Sequence, residues 1–526
     1  MDDALDFHHP WLSGNDSLGR PRRLASLQNS RGPGGIPLNT GHSISVMGIA
    51  LARGANPGDL TGLAPDARYV TAEFFNRAQA DVPFRHIFDA AGFLAENNVE
   101  IINMSWSWWV GGINLSYNGD AFNSNLMADY LAYARNVVCV VAVNQFQSHD
   151  RPTAPGSSRN VITVGGLDDS MERAWALQDH GPTLDGRSKP DLLGNNAAGA
   201  VSLSPEWRNG IPATTDIDGT SFAAPFVTGA AAQMLDFAKH TPGNRPRDHR
   251  LIKAILMTSA TKVQDADGSI WSSSESQPLD NEQGAGVIDL QRVHEIYQAL
   301  PQSPGNVPVP GYTFTTLTGT ATNATSGRHI FRLGSPQETN CLLDITLVWD
   351  RPTRWQDLNQ NFRIDSADIF SLDPQNTQDN LDLVLLRDGI PIHASRSTVD
   401  NVEHIHLNHL QPGQYELQVE RLPVANSGPG EAYALAWHST APWIDENRRI
   451  EIARSTNTVQ ITFQTDTNSG TSYQLESMTT LRPTPQWTPI KTPAPRPLDS
   501  LRSQFNLPLT PEPQRFYRLI WHPDNQ

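Results

Sequence analysis

"DGTSFAAPFVTGAAAQML", residues 218–235, places a threonine and a serine at the head of a long run of small apolar side chains. From Ser221 onward the run is nearly apolar on every side, which predicts a helix buried in the middle of a domain. A serine at such a helix start reads first as a cap, its hydroxyl accepting one of the unpaired N–H groups of the first turn. The same position suits a nucleophile, because the N–H groups at a helix N-terminus gather around a developing negative charge. The two roles are compatible, and the rest of the chain has to support the second.

Upstream, β-rich apolar runs alternate with helical ones. "ARYVTAEFF" (67–75), "VEIINMSWS" (99–107), "VVCVVAVN" (137–144) and "NVITVGGLD" (160–168) read as strands. "FRHIFDAAGFLAENN" (84–98), "SNLMADYLAYARN" (124–136) and, further on, "HRLIKAILMTSAT" (249–261) read as helices. That alternation predicts an α/β domain over residues 1–300, a parallel sheet flanked by helices. Residues 301–310, "PQSPGNVPVP", form a proline-rich linker. Beyond it the helical period disappears. In "QYELQVERL" (414–422), Tyr415, Leu417 and Val419 share one face and Glu416, Gln418 and Glu420 the other, the pattern of a half-buried antiparallel strand. With "CLLDITLVW" (341–349), "LDLVLLRDG" (381–389) and "HIHLNHL" (404–410), this predicts a β-sandwich or jelly roll over 311–440. A small β-rich unit, 441–526, follows, with two strands in residues 458–478 around the turn residues Asn468, Ser469 and Gly470.

Composition bounds the function. The chain has 526 residues, 55 acidic against 39 basic, for a formal net charge of -16. Such a surface repels nucleic acid and anionic membranes, so neither is expected as a partner. No apolar segment approaches the length of a bilayer span. The two cysteines, Cys139 and Cys341, lie far apart in apolar runs, so neither a disulfide framework nor a cysteine metal site is expected. No organic cofactor is implied, and a monomer is expected.

Four separated segments resemble the subtilisin-like serine peptidases, in order. Gly219-Thr220-Ser221-x-Ala223-x-Pro225-x-Val227-x-Gly229 is similar to the family's G-T-S-x-A-x-P-x-V-x-G block. "GHSISVMGI" (41–49) resembles H-G-T-H-V-A-G-I, with His42 at the general-base position, and "DDALDFHHPWL" (2–12) resembles D-T-G-I-D-x-x-H-P-D-L, with Asp2 at the imidazole-orienting position. "VVCVVAVNQF" (137–146) is similar to the strand ending V-x-A-A-G-N. The resemblance implies a serine endopeptidase with Asp2, His42 and Ser221 as triad and Asn144 as oxyanion-hole donor. It also implies a protein or peptide substrate lying against Ser105, Trp106 and Ser107, and a secreted or cell-envelope location. Trp108 and Trp109 are candidates, with Trp106, for an aromatic subsite or a core role.

Departures from the family pattern stand beside the matches. Ser43, Ile44 and Ser45 follow His42 where Gly, Thr and His are usual; Ser107 replaces a glycine, and Phe222 stands where many members carry methionine. The family's catalytic Asp ends a central strand, whereas only Met1 precedes Asp2 here. That strand, with any export signal and pro-segment, is therefore expected upstream of this reading frame, or the site is incomplete. These departures motivate the alternative of a catalytically impaired subtilase acting as a secreted binding or adhesion scaffold.

A second chemical signal is "DLNQNFRIDSAD" (357–368), with oxygen side chains at loop positions 1, 3, 5, 9 and 12 and isoleucine at position 8, as in EF-hand-like calcium loops of the dockerin type. The expected Ca²⁺ ligands are Asp357, Asn359, Asn361, Asp365, Asp368 and the carbonyl of Arg363. Phe362 occupies position 6, where glycine normally takes the left-handed turn. The strands of the 311–440 region loosely resemble the jelly-roll module that follows the catalytic domain in some large bacterial subtilisins.

Overall fold

The computed structural model describes the chain except for residues 4–8, 28–40, 55, 57–58, 76–84, 108–119, 121, 146–150, 196–199, 205–213, 242, 244, 319–323, 335–340, 423–427, 441–450, 455–457, 465–471, 479–487, 490–495, 498–501, 509–515 and 523–526. The chain divides into two compact units, residues 1–333 with 340–442, and residues 334–339 with 443–526.

The first unit begins with β1 (Asp2–Asp3), β2 (Arg23–Leu27), α1 (Gly41–Leu51), β3 (Tyr69–Phe75), α2 (Arg85–Glu96), β4 (Ile101–Met104), α3 (Asn123–Arg135), β5 (Val138–Ala142), β6 (Ile162–Gly166) and β7 (Leu192–Gly194). A two-stranded ribbon, β8 (Ala200–Leu203) and β9 (Thr214–Ile217), then leads to α4 (Thr220–His240), α5 (His249–Thr258) and α6 (Leu290–Gln298). The parallel strands run in the orders β1-β3-β2 and β4-β5-β6-β7. The two sets meet at the chain start, where the Met1 amino group donates to the Asn103 carbonyl of β4 at 3.2 Å.

Why the sheet takes helices on both faces is visible in β5, whose five residues are all buried. Side chains alternate across a strand. Val138, Val140 and Ala142 therefore face α4 and α5, packing with Ala223, Val227, Ala230, Leu251 and Ile255, while Cys139 and Val141 face α2 and α3, packing with Ala91, Leu94, Met127 and Leu131. Each fully buried Leu, Ile or Val contributes roughly 1.5–3 kcal/mol relative to exposure. Both cysteines are buried. Among the described residues, no helix is long and apolar enough to cross a membrane.

The β-rich part of this unit comprises β10 (Gly305–Asn306), β11 (Gly311–Thr318), β12 (Ala324–Thr325), β13 (His329–Leu333), β14 (Cys341–Trp349), β15 (Thr353–Gln356), β16 (Ile369–Leu372), β17 (Asn380–Arg387), β18 (Ile390–Ser395), β19 (Val402–Leu410), β20 (Gly413–Leu422) and β21 (Gly430–Ser439); β15 and β16 pair only with each other, and the rest form the two sheets of a sandwich. One sheet has the order β10-β13-β20-β17-β18, with β12 also on β20; the other has β11-β21-β14-β19. Tyr415, Leu417 and Val419 face inward with Leu347, Trp349, Leu383, Leu435 and Trp437. The opposite face of the β11-β21-β14-β19 sheet is buried as well. There Val348, Val402, Ala434 and Ala436 join the core that holds α5, so this helix is covered by the parallel sheet on one side and the sandwich on the other. The 301–310 segment is tied to the sandwich, with Val307 N–H donating to Ile330 and the Trp437 indole to the Pro308 carbonyl.

The second unit contains β22 (Glu451–Arg454), β23 (Thr458–Gln464), β24 (Ser472–Met478), β25 (Thr488–Pro489), β26 (Arg496–Pro497), β27 (Arg502–Pro508) and β28 (Phe516–His522). The expected strands on either side of Asn468, Ser469 and Gly470 form but do not pair with each other: β23 lies between β22 and β27, and β24 between β25 and β28. Tight hairpin register needs a turn of about two to five residues, and here seven residues, 465–471, separate the strands. The three turn residues lie outside the described residues.

Candidate active site

The turn into α4 depends on Gly219, whose φ of 145° and ψ of 144° suit a residue without Cβ. A Cβ here would also come within 3.0 Å of Gln145 Oε1. That amide oxygen accepts the Thr220 N–H at 2.9 Å, and the Thr220 hydroxyl donates to the Val143 carbonyl. Both ties fasten the helix start to the chain just beyond β5. Ser221 is thus the second helical residue and not the cap: Gly219 is the N-cap and has no side-chain capping bond. Because Gln145 supplies an acceptor from outside the helix, the serine hydroxyl is left to other work. It donates to the Ser105 carbonyl at 3.1 Å.

His42 is the second residue of α1, and its Nδ1 lies 2.8 Å from Asp2 Oδ1. The carboxylate is buried and the imidazole half-buried. A carboxylate accepting from Nδ1–H leaves Nε2 as the basic nitrogen. The imidazole stands beside the helix that carries Ser221, its ring centroid 5.6 Å from that of Phe222. The departures after His42 serve packing: Ile44 is fully buried among Leu12, Met47 and Leu203, and the Ser45 hydroxyl donates to the Leu203 carbonyl at 2.9 Å, so α1 is seated on β8.

Asn144 follows β5 and is 3% exposed. Its Oδ1 accepts the Thr153 N–H at 2.7 Å, and its main-chain carbonyl accepts from Asp179 N–H at 2.8 Å. Its Nδ2 is buried with no hydrogen-bond partner among the described residues. The side chain is therefore fixed by its oxygen, with its donor open. The strand expected over 99–107 ends at Met104, and Ser105, Trp106 and Ser107 follow it outside the strand; Trp106 is half-buried and packs on Phe74 with ring centroids 4.8 Å apart. Trp108 and Trp109 lie outside the described residues.

Sequence reasoning missed three neighbours of this site. Gln145 holds the helix start, and Asn103 and Thr228 hydrogen-bond to one another at 2.8 Å between β4 and α4. The only sequence trace of the last pair is Pro225, which leaves a gap in the helix ladder that something outside the helix must fill.

The 357–368 loop folds on itself. Asp357 accepts the N–H groups of Asn361 and Phe362, and the Asn359 and Asn361 amides both donate to Asp365. Asp368 accepts from the Trp355 indole at 2.9 Å and from Asp365 N–H at 3.0 Å. The Arg363 side chain is ion-paired with Glu96 of α2. Phe362 takes φ 63° and is 87% exposed. Ile364 is buried against α2, so closely that a Cβ on Gly92 would fall 1.9 Å from its carbonyl oxygen. Among the described residues, no three or more His, Cys, Asp or Glu side chains are grouped to hold a metal ion. The donor types fit calcium, but their oxygens now serve N–H groups.

Comparison with known proteins adds the following. Residues 1–286, more than half of the chain, match the subtilase family. The chain is 28% identical over 277 residues to the serine protease AprX of Bacillus subtilis (strain 168), covering 48% of this chain and 57% of that one. It is 25% identical over 337 residues to fervidolysin of Fervidobacterium pennivorans, covering 59% of this chain and 44% of that one. It therefore spans about half the length of these curated relatives. The crystal structure of fervidolysin aligns with a TM-score of 0.40 and 16% identity, covering 91% of this chain and 62% of that one.

Proposed function

The chain belongs to the subtilase family, and from that membership we propose that it is a serine endopeptidase acting on protein or peptide substrates. Ser221 Oγ attacks the peptide carbonyl carbon while His42 Nε2 accepts its proton; Asp2 holds the imidazole tautomer and stabilises the cation. The carbonyl oxygen, now negative, is met by Asn144 Nδ2 and the Ser221 N–H at the start of α4. Collapse releases the amine, which takes the proton from His42, and water then hydrolyses the acyl-enzyme through the same base.

What supports this reading over that of a non-catalytic scaffold is the Asp2–His42 hydrogen bond beside the head of α4, together with an Asn144 side chain fixed through its Oδ1 with Nδ2 open. A buried donor without a partner costs about 1–3 kcal/mol. Other buried atoms bear a similar cost, but this donor sits on a side chain held beside the start of α4, where an oxyanion hole needs one. The test is labelling of the full chain with an alkyl fluorophosphonate, which phosphonylates an activated serine with loss of fluoride. We expect stoichiometric labelling that disappears in Ser221→Ala; labelling that persists in the variant, or a wild-type chain that never reacts, sinks the proposal.

We also propose that the 357–368 loop takes up Ca²⁺ through Asp357, Asn359, Asn361, Asp365, Asp368 and the Arg363 carbonyl. What supports this reading is the all-oxygen donor set at EF-hand-like spacing and the left-handed Phe362, a conformation costing a non-glycine residue about 1 kcal/mol or more.

A further inference from the structure

Pro225 lies in the second turn of α4. In a regular helix the N–H of residue 225 bonds the carbonyl of residue 221. Proline has no N–H, and its ring crowds that same carbonyl. The oxygen deprived of its helix partner thus belongs to the residue whose side chain is the proposed nucleophile.

It is answered from β4's continuation. Ser105, 1% exposed, donates its hydroxyl to the Ser221 carbonyl at 2.7 Å. Ser105 Oγ in turn accepts from Asn103 Nδ2 at 2.9 Å, and Asn103 Oδ1 accepts from the Thr228 hydroxyl at 2.8 Å, whose single proton is shared with the Ala224 carbonyl at 3.1 Å. The relay leaves and rejoins α4 on either side of the proline. Meanwhile the Ser105 carbonyl accepts from Ser221 Oγ at 3.1 Å. Ser105 therefore grips Ser221 at two points, its main chain and its side chain.

We infer that the Ser105 hydroxyl is a positioning residue for Ser221. It fixes the residue 221 carbonyl, and with it the direction of the Cα–Cβ bond that aims Oγ, in place of the helix bond that Pro225 cannot make. This role belongs to the hydroxyl and is separate from any pairing of the Ser105 main chain with substrate. The inference rests on the peptidase reading. An attack geometry off by about 1 Å lowers rates by roughly a hundredfold, so a nucleophile beside a gap in its helix ladder needs such a hold.

The experiment measures the maximal rate and the half-saturating concentration of alkyl fluorophosphonate labelling for the full chain and for Ser105→Ala, Pro225→Ala and the double variant. A wild-type chain that does not label fails the peptidase reading itself, before any variant is compared. Given labelling, Ser105→Ala should lower the maximal rate by about ten- to a hundredfold with half-saturation within about twofold. Pro225→Ala returns an N–H to the residue 221 carbonyl, so the double variant should recover most of the rate although the hydroxyl is still missing. A wild-type rate in Ser105→Ala, a loss confined to half-saturation, or a double variant as slow as the single one overturns the inference. Should Ser105→Ala not fold, the comparison moves to the Pro225→Ala background: a rate ratio near one between the two chains supports it, and a tenfold loss on removing the hydroxyl overturns it.

Discussion

Two buried polar clusters of the first unit are finished in opposite ways. Where the sandwich meets α5 and the segment before α6, each buried carboxylate has cations at hand. Asp344 lies 3.3 Å from Lys262 Nζ, 2.6 Å from His406 Nδ1 and 3.8 Å from Arg292 Nη1, and Asp350 lies 2.9 Å from His249 Nε2 and 3.3 Å from Arg250 Nη1. At the head of α4, by contrast, Asn144 keeps a donor with no described partner. Charges taken out of water must be paired; the seam sets cations beside its carboxylates, although Asp344 Oδ2 and Asp350 Oδ2 accept no hydrogen bond among the described residues, whereas the head of α4 leaves open a neutral donor with no charge beside it to answer. The difference teaches which cluster is built for cohesion and which for chemistry, and it can be attacked from either side.

The largest effect is expected at the seam. Burial pushes the Asp344 carboxyl up, but Lys262 and then His406 more than offset this and hold it well below the usual carboxylate range; burial, partly offset by Asp344, lowers Lys262. Lys262→Met removes one partner and should cost about 3–5 kcal/mol, the scale for breaking a buried pair. The thermal midpoint should fall while the labelling rate of Ser221 at room temperature stays unchanged. The sign of the pH dependence follows. In the wild type the depressed Asp344 contributes stability above the ordinary carboxylate pKa of about 4, and that contribution is lost as pH falls through its folded value. In the variant burial acts with less opposition, so protonation relieves the strain and the gap between the two midpoints narrows on acidification. A midpoint unchanged at pH 7 breaks the contrast on the seam side.

Next is the open donor. Asn144→Ala should lower casein turnover by about a hundred- to a thousandfold, roughly 3–4 kcal/mol in the barrier. Stability should change by no more than about 1 kcal/mol, because losing the bond from Thr153 and removing an unpaired buried amide act in opposite directions. A variant that melts far lower yet keeps its turnover would make Asn144 a structural tie, and the two clusters would then be alike.

How far the sequence revealed these clusters depended on the range over which its signals act. The strands, the helices and the order of Asp2, His42, Asn144 and Ser221 are local patterns and were readable as such. The cap expected at Ser221 was not, since whether a first-turn N–H is met from within depends on Gln145, which approaches from 75 residues away. "CLLDITLVW" shows the same limit. Alternation assigns it one buried face, but Asp344, Thr346 and Val348 on the other are buried too, because α5 covers them. The lone carboxylate in that apolar strand and Lys253 in the apolar α5 are the only local hints, and neither names its partner. Lys253 turns out to lie 2.9 Å from Asp191 and to donate to the Val161 carbonyl.

The smallest effect concerns the 357–368 loop, which lies between the two cases. Its carboxylates are met, as at the seam, but by N–H groups of the loop itself and not by fixed cations. A Ca²⁺ ion would compete with those donors for the same oxygens, so its net contribution is reduced by the hydrogen bonds it displaces. At free calcium a hundredfold above the dissociation constant, binding adds about 2.7 kcal/mol, equivalent to a midpoint rise of roughly 3 °C at about 1 °C per kcal/mol for a cooperative unit as large as the first one. Differential scanning calorimetry in millimolar calcium and in excess EGTA should show that shift, and Asp357→Ala should abolish it. Because Ile364 seats the loop on α2 beside Gly92, the gain should appear in the unfolding of the whole first unit. Midpoints that coincide in calcium and EGTA would leave the loop as a self-satisfied hairpin, closed by its own hydrogen bonds and held to α2 by packing and the Arg363–Glu96 ion pair.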